Sequence, residues 1–87
     1  MTERKRKLSR TEIAKAFADG TGAQFPPIMT VEQLAALLQI SRKTLYEWAE
    51  HGRLDGAFRK RGKHILFWRD RAIDIIFNGP EWKHHEI

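Results

Sequence analysis

The sequence predicts a mainly α-helical fold that carries a small two-stranded β-hairpin, and three observations support this prediction. Two short segments, beginning at Thr30 and Ser41, each open with a helix-capping residue and continue with apolar residues at helical spacing. Only a short turn separates these two segments. Further along, a glycine-containing turn at Arg61-Gly62 joins two segments with β-favouring side chains. The 87 residues are enough for one small domain.

The N-terminal part of the chain predicts a flexible basic arm over residues 1–8, then a helix and a linker over residues 9–28. The helix is expected to start near Ser9, because Ser9 and Glu12 have the spacing of a capping box. Glycines from Gly20 onward are expected to end it. Its apolar stripe comprises Ile13, Ala14, Phe17 and Ala18.

The second and third helices have the layout of a helix-turn-helix. Thr30 is expected to cap the second helix with Gln33 as its capping-box partner, and Ser41 to cap the third. Gly52 is placed to end the third helix in the left-handed conformation. The side chains expected to face the core are Val31, Leu34, Leu37 and Leu38, followed by Leu45, Trp48 and Ala49.

Two short strands, 57–60 and 63–67, are predicted to form a hairpin around Arg61-Gly62. A hairpin of this size is only marginally stable by itself, so we expect it to pack against the helices. A basic hairpin attached to a helix-turn-helix corresponds to a winged helix-turn-helix, which we expect over residues 29–78.

A fourth helix is predicted from about Arg69 to Phe77, because Asn78-Gly79-Pro80 is a strong stop signal. Its apolar face comprises Ala72, Ile73, Ile76 and Phe77. Residues 79–87 are expected to form a short tail, from which Trp82 could dock on the core.

Basic charge is concentrated in two parts of the chain. The formal net charge is +5; residues 1–10 hold five basic groups and one acid, and residues 53–71 hold seven basic groups and two acids. Such clustering favours a polyanionic partner, with nucleic acid ahead of an anionic membrane surface. No apolar run approaches the length of a membrane span, so we expect a cytoplasmic protein that is not inserted in a membrane.

The residues that usually carry catalysis or bind metals do not form a pattern here. The chain contains no cysteine, which excludes disulfides and cysteine-type zinc sites. It contains no phosphate-loop motif and no carboxylate pair in an apolar setting. Its histidines are scattered at positions 51, 64, 84 and 85. We therefore expect a protein that is not an enzyme and that needs no cofactor and no metal.

The outward side of the third helix is predicted to read DNA bases, because a helix in the major groove does so with its exposed first turns. Arginine or lysine can pair with guanine, and glutamate can accept from cytosine. Ser41 and Thr44 could bind phosphate beside the free N–H groups of the helix start. The simpler interpretation is that Ser41 is only a cap and that the charges are only solvated. The outward residues are Lys43, Tyr46, Glu47 and Glu50, and Arg42 is expected on the flank of the helix at its N-terminal end.

The tip of the hairpin is the second candidate DNA contact. A thin basic loop can lie along phosphates or enter the minor groove, although it could also be a solubilising surface loop. The Arg4–Lys7 run could likewise bind phosphate or remain a solvated tail. The tip residues are Arg59, Lys60, Arg61, Lys63 and His64.

A family resemblance rests on a series of short motifs: Thr30-Val31-Glu32, Leu34-Ala35, Ile40-Ser41-Arg42, Thr44-Leu45-Tyr46, Trp48 and Gly52-Arg53-Leu54. With these motifs the chain resembles the excisionase-like domains on the winged-helix side of the MerR superfamily, from about Met29 to Phe77. The wing tip is more basic than is usual in that family, and residues 67–70 fit its pattern poorly.

The resemblance implies that Ser41, Arg42, Thr44 and Tyr46 lie at the DNA surface and that the wing contacts an adjacent groove or the backbone. It also implies that phage excisionases, recombination directionality factors and small transcription regulators are relatives. A protein of this kind would recruit or block a recombinase or RNA polymerase.

We therefore expect sequence-specific binding of double-stranded DNA by a monomer or by a weak, cooperative oligomer. The resemblance favours a role as an excisionase, a recombination directionality factor or a small transcription regulator of a mobile element. An RNA-binding module and a protein-interaction module remain as alternatives.

Overall fold

A computed structural model describes residues 7–18, 24–80 and 82 of the chain. The architecture is mainly helical with a basic β-hairpin, which confirms the predicted fold class. The elements in chain order are α1 (Arg10–Ala16), β1 (Ile28–Met29), α2 (Val31–Leu38), α3 (Arg42–Glu50), β2 (Phe58–Arg61), β3 (His64–Trp68) and α4 (Arg69–Asn78).

Helix α1 begins as predicted but is shorter and buries less. The Glu12 amide donates to Ser9 Oγ (3.0 Å) and the Ser9 amide donates to Glu12 Oε1 (2.8 Å), completing the capping box. The helix ends at Ala16, before the glycines that were expected to end it, of which Gly20 and Gly22 lie outside the described residues. Of its predicted apolar stripe only Ile13 is buried, because this helix of two turns contacts α4 along one side.

Helices α2 and α3 are joined by the three residues 39–41, as the helix-turn-helix layout predicts. The Ile40 amide donates to the Ala35 carbonyl (3.0 Å) and the Gln39 amide donates to the Ala36 carbonyl (3.2 Å). This is the Schellman arrangement, which requires a left-handed residue. Gln39 occupies that position with φ 59°, although glycine is the usual residue there.

Helix α3 ends in the same arrangement, here with glycine. The Arg53 amide donates to the Trp48 carbonyl (3.0 Å), and Gly52 has φ 77°, as predicted. The turn that follows brings Leu54 and Ala57 into the core, where both are buried. The hairpin is thus anchored to the helices on the side where it leaves α3.

The sheet contains one strand more than the predicted hairpin. Its order is β1-β3-β2, with Met29 opposite Phe67 in β1–β3 and Phe58 opposite Phe67 in β2–β3. Strand β1 has only two residues, too few to produce a period-2 pattern, and the Pro26-Pro27 dipeptide before it indicated only an extended linker.

The hairpin strands lie one residue later than predicted, because Gly62 and Lys63, and not Arg61 and Gly62, occupy the centre of the turn. Gly62 has φ 61°, which meets the need of a type II′ turn for glycine at its first central position. The shift places His64 at the start of β3 and Arg61 at the end of β2.

The core lies between α2, α3, α4 and the inner face of the sheet. Its largest fully buried side chains are Met29, Leu34, Leu45, Leu54 and Phe67. The prediction for Phe77 was wrong: this side chain is 59% exposed, because the buried line of α4 runs through Ala72 and Ile73 and ends before the last turn.

Trp82 packs on the back of α3, in line with the prediction that this tail residue could dock on the core. Its ring meets the half-buried Trp48 ring edge-on, with 4.8 Å between centroids and 72° between planes. The guanidinium carbon of Arg53 lies 4.8 Å from the centre of the Trp82 ring. Trp48 thus belongs to the inner side of α3, as predicted, and the tail residue adds a second ring to it.

Arg69 joins the N-terminal segment to α4. The residue is only 7% exposed. Its Nη1 donates to the Phe25 carbonyl (2.7 Å), its Nε donates to Asp70 Oδ1 (2.8 Å), and its guanidinium carbon lies 3.9 Å from the centre of the Phe17 ring. A buried cation requires such partners, and these ones fasten α1 and the linker to the rest of the domain.

A second fastening lies at the other end of α4. The Leu8 amide donates to Asn78 Oδ1 (2.7 Å), and Asn78 Nδ2 donates to the Leu8 carbonyl (2.8 Å). One side-chain amide thus pairs with both backbone groups of Leu8, and it holds the residue before α1 against the end of α4.

Candidate nucleic-acid interface

Helix α3 turns a polar, mostly exposed face outward and an apolar face inward. Leu45 is completely buried and lies on the inner side. Arg42, Lys43 and Tyr46 are exposed, and Glu47 is half-buried. One shallow surface depression is lined by Ser41, Arg42, Lys43, Tyr46, Glu47 and Glu50. The structure therefore brings the residues predicted to read bases together on one face.

The start of α3 is organised by its cap. Ser41 Oγ accepts from the Thr44 amide (3.0 Å) and donates to Thr44 Oγ1 (2.9 Å). The Ser41 hydroxyl is therefore engaged within the helix, which favours its role as a cap. Because Thr44 Oγ1 accepts that hydrogen bond, its own proton remains available for an acceptor such as a phosphate oxygen.

Arg42 forms an ion pair that the sequence did not reveal. Its Nη1 lies 3.2 Å from Glu32 Oε2, and both side chains are about two-thirds exposed, at 64% and 66%. The two residues are ten positions apart on different helices, and no spacing rule connects them. The pair holds the guanidinium at the leading end of α3, beside the exposed face of that helix.

The same pair affects the protonation of the carboxylate. A hydrogen bond from its own backbone amide, and then the hydrogen bond from Arg42, lower the pKa of Glu32 below 4.5. A lowered pKa favours the charged form in the folded state, so the stabilisation from these two hydrogen bonds is present above the ordinary pKa of a glutamate and is lost as the pH falls through the lowered pKa. Glu32 is thus charged at neutral pH and competes for Arg42 with any other anion.

The hairpin tip has five exposed residues, but they do not form one cluster. Arg59, Arg61 and His64 belong to one face of the sheet, since Arg61 is opposite His64 and strand residues alternate between faces. Lys60 lies on the other face opposite Ile65, and Lys63 lies in the turn. Arg61 Nη1 also donates to the Lys60 carbonyl (2.8 Å). The wing therefore presents cations on both of its faces.

Neither face of the wing carries a carboxylate. Between Phe58 and Trp68 the sequence has four lysines and arginines and no acidic residue. All five tip residues are exposed, so their charges face solvent and not the core. Such a projection can lie along a phosphate backbone without repulsion from its own side chains.

The described residues contain no group of three histidine or acidic side chains placed to hold a metal ion. Of the four histidines, His84 and His85 lie outside those residues, and so does the arm before Lys7. Within 7–18, 24–80 and 82, the helices are also too short and too polar to cross a membrane.

Comparison with known proteins gives one match, in the central segment. Residues 28–70 match the family model described as a helix-turn-helix domain, a DNA-binding family that is typically non-enzymatic. The match covers β1 to the start of α4, and so includes both helices and the wing. No curated protein and no solved structure matches the chain. The excisionase-like and MerR-like subtype stays a prediction.

Proposed function

We propose that this chain, whose residues 28–70 form a helix-turn-helix domain, binds double-stranded DNA in a sequence-specific manner. The observation that carries the proposal is the orientation of α3. Its leading end exposes Arg42 and Lys43, while Leu45 on the opposite side is completely buried. A helix held in this way can enter a groove without exposing its core.

The dimensions of α3 suit the major groove. An α-helix with its side chains is about 10–12 Å across, and the groove is about 12 Å wide. Arg42 and Lys43 would donate to guanine O6 and N7, and Glu47 would accept from cytosine N4. Tyr46, which is 46% exposed, adds an aromatic surface for contact with the bases.

Phosphate contacts would fix the register of the helix on the duplex. The free N–H groups at the start of α3 and the Thr44 hydroxyl supply donors at one end of the interface. The wing supplies cations at the other, from Arg59, Lys60, Arg61 and Lys63. Each phosphate that these cations neutralise would release counterions and steepen the dependence of affinity on salt.

The biological role that we propose is that of an excisionase-like recombination directionality factor or a small transcription regulator of a mobile element. The motifs between Thr30 and Leu54 support it, by their resemblance to that family. Such a role implies a recombinase or RNA polymerase as the protein partner, and action as a monomer or as a weak, cooperative oligomer on DNA.

Selection of bound sequences from random DNA duplexes tests the proposal most directly. The wild-type chain should enrich one motif, and Arg42→Ala should relax the preference at one position and cost about 1–3 kcal/mol there. Arg10→Ala is the matched control, since Arg10 is an exposed arginine on α1. If Arg42→Ala and wild type select the same motif with the same strength, Arg42 does not read a base.

Comparing duplex DNA with structured RNA at matched salt separates the two alternative functions. Tighter binding to structured RNA than to duplex DNA would indicate an RNA-binding module instead. Failure to retain either nucleic acid at low salt, where the electrostatic contribution is largest, would contradict nucleic-acid binding and favour a protein-interaction module.

A further inference from the structure

The outer face of the sheet carries an exposed apolar patch. Ile28 and Trp68 are cross-strand partners, and Leu66 lies on the same face two residues before Trp68. These side chains are 45%, 53% and 39% exposed. The described residues contain six large exposed apolar side chains, and this face holds three of them. Apolar side chains clustered on a surface in this way mark interaction sites.

The patch is separate from the proposed DNA-reading helix. Phe67, next to both Leu66 and Trp68, points to the opposite face and is completely buried in the core. Helix α2 contacts β1 and β3 on that inner side, and α3 packs against α2. The outer face of the sheet is therefore turned away from these two helices.

Arginines surround the patch. One groove is lined by Ile28, Leu66 and Trp68 together with Arg59, Arg61 and Arg71, and its lining contains no carboxylate. Arg71 is exposed, and its Nη1 donates to the Gly56 carbonyl (3.2 Å), which holds its side chain over the groove. The groove thus combines apolar contact area with a cationic rim.

We propose that this groove binds an acidic, amphipathic peptide segment of a partner protein. Apolar side chains of the peptide would cover Ile28, Leu66 and Trp68. Its carboxylates would pair with Arg71 and, when the wing is not bound to DNA, also with Arg59 and Arg61. Such pairs would restrict the partner to anionic segments, because a basic peptide would be repelled.

The composition of the groove favours a peptide over a nucleic acid. Single-stranded nucleic acids are bound by stacking successive bases on aromatic side chains. Of the three exposed apolar side chains here only Trp68 is aromatic, and Ile28 and Leu66 are aliphatic. A DNA duplex presents a charged backbone that would leave these aliphatic side chains without apolar partners.

A display selection of random 12-residue peptides on the full chain would test this proposal. It should be run with and without saturating duplex DNA, so that a failure of peptide binding and a failure of DNA binding are seen separately. The expected result is enrichment of Asp and Glu together with apolar residues. Enrichment of basic or purely polar peptides, or no enrichment, would overturn the proposal.

Calorimetry with the strongest selected peptide then locates the site. Leu66→Thr combined with Trp68→Thr should weaken binding of the peptide about tenfold or more, because both apolar anchors are lost. Phe77→Gln is the matched control, since Phe77 is 59% exposed but does not line the groove. The affinity of the chain for duplex DNA should change less than about twofold in both the double variant and the control. Equal peptide affinity in the double variant and the control would contradict the assignment.

Two further measurements complete the test. If the double variant does not fold, Arg71→Glu replaces it: this substitution reverses one charge at the rim, leaves the apolar patch intact, and should also weaken binding of the peptide. Oligo(dT) of 12 nucleotides is the nucleic-acid probe. If oligo(dT) binds the chain and loses affinity in the groove variants, the groove binds single-stranded nucleic acid and the peptide proposal is wrong.

Discussion

Replacing Arg69 with methionine should destabilise the domain by about 2–3 kcal/mol. Methionine preserves most of the apolar contact of the side chain but removes the guanidinium. The hydrogen bond to the Phe25 carbonyl (2.7 Å) has a charged donor, and such bonds contribute about 1.5–3 kcal/mol. The stacked contact with Phe17 at 3.9 Å contributes up to about 2 kcal/mol when it is shielded from water.

Two effects keep the destabilisation below the sum of these contributions. The side chain of Asp70 is 39% exposed, so water can solvate its carboxylate after Arg69 is removed; the Arg69–Asp70 ion pair is therefore worth no more than about 1 kcal/mol. Removing a buried charge also relieves its desolvation cost. The balance is a moderate destabilisation, which in a domain of this size lowers Tm by roughly 10–20 °C.

Thermal and urea unfolding followed by circular dichroism would measure this change. Arg71→Met is the matched control: it lies two residues away on α4, is exposed, and donates one hydrogen bond of 3.2 Å to Gly56. We expect that control to cost less than about 1 kcal/mol. If the two variants unfold at the same temperature, Arg69 does not hold α1 and the linker to the domain as argued.

Three other variants give separate tests. Gln39→Gly should stabilise the domain by about 0.5–1 kcal/mol in urea unfolding, because it relieves a left-handed φ of 59°; an unchanged midpoint would show no strain there. Glu32→Gln should tighten binding of duplex DNA a few-fold at neutral pH, because it releases Arg42, and the gain should shrink toward acidic pH as the wild-type carboxylate is protonated; a gain that is independent of pH would exclude this explanation. Replacing Arg61 and Lys63 together with alanine should reduce the slope of log affinity against log salt by about 2 if each binds one phosphate, and an unaltered slope would remove the wing from the interface.

Local signals in the sequence were sufficient for most of the secondary structure. The capping boxes at Ser9 and Thr30 and the glycine at position 52 are each specified by residues within four positions, so the pattern predicted them. The same holds for the inner side of α3, where helical spacing alone placed Leu45 in the core.

Features that depend on contacts between distant residues escaped prediction. Strand β1 forms only because β3 is present to pair with it. The hairpin strands lie one residue later than predicted, because Gly62 is the first central residue of the turn. The contacts of Arg69 show the same dependence, because its partners Phe17 and Phe25 lie in the N-terminal segment, outside residues 28–70.

In the candidate site, too, local features were predictable and features that depend on distant residues were not. The outward residues of α3 follow from helical geometry, and the structure brings them to one face. The ion pair between Arg42 and Glu32 depends on how α2 and α3 cross, which no residue in either helix specifies alone. Which face of the sheet each wing cation takes likewise depends on register, because a shift of one residue reverses every side chain.

The placement of the three indole rings gives the molecule built-in optical probes. Trp48 and Trp82 touch behind α3, so their shared emission should change if that helix moves when the proposed duplex binds. Trp68, 53% exposed on the far side of the sheet, should emit as a hydrated ring and shift to the blue if the proposed peptide covers it. Variants that retain one ring at a time would therefore distinguish occupancy of the two surfaces in a single unlabelled sample.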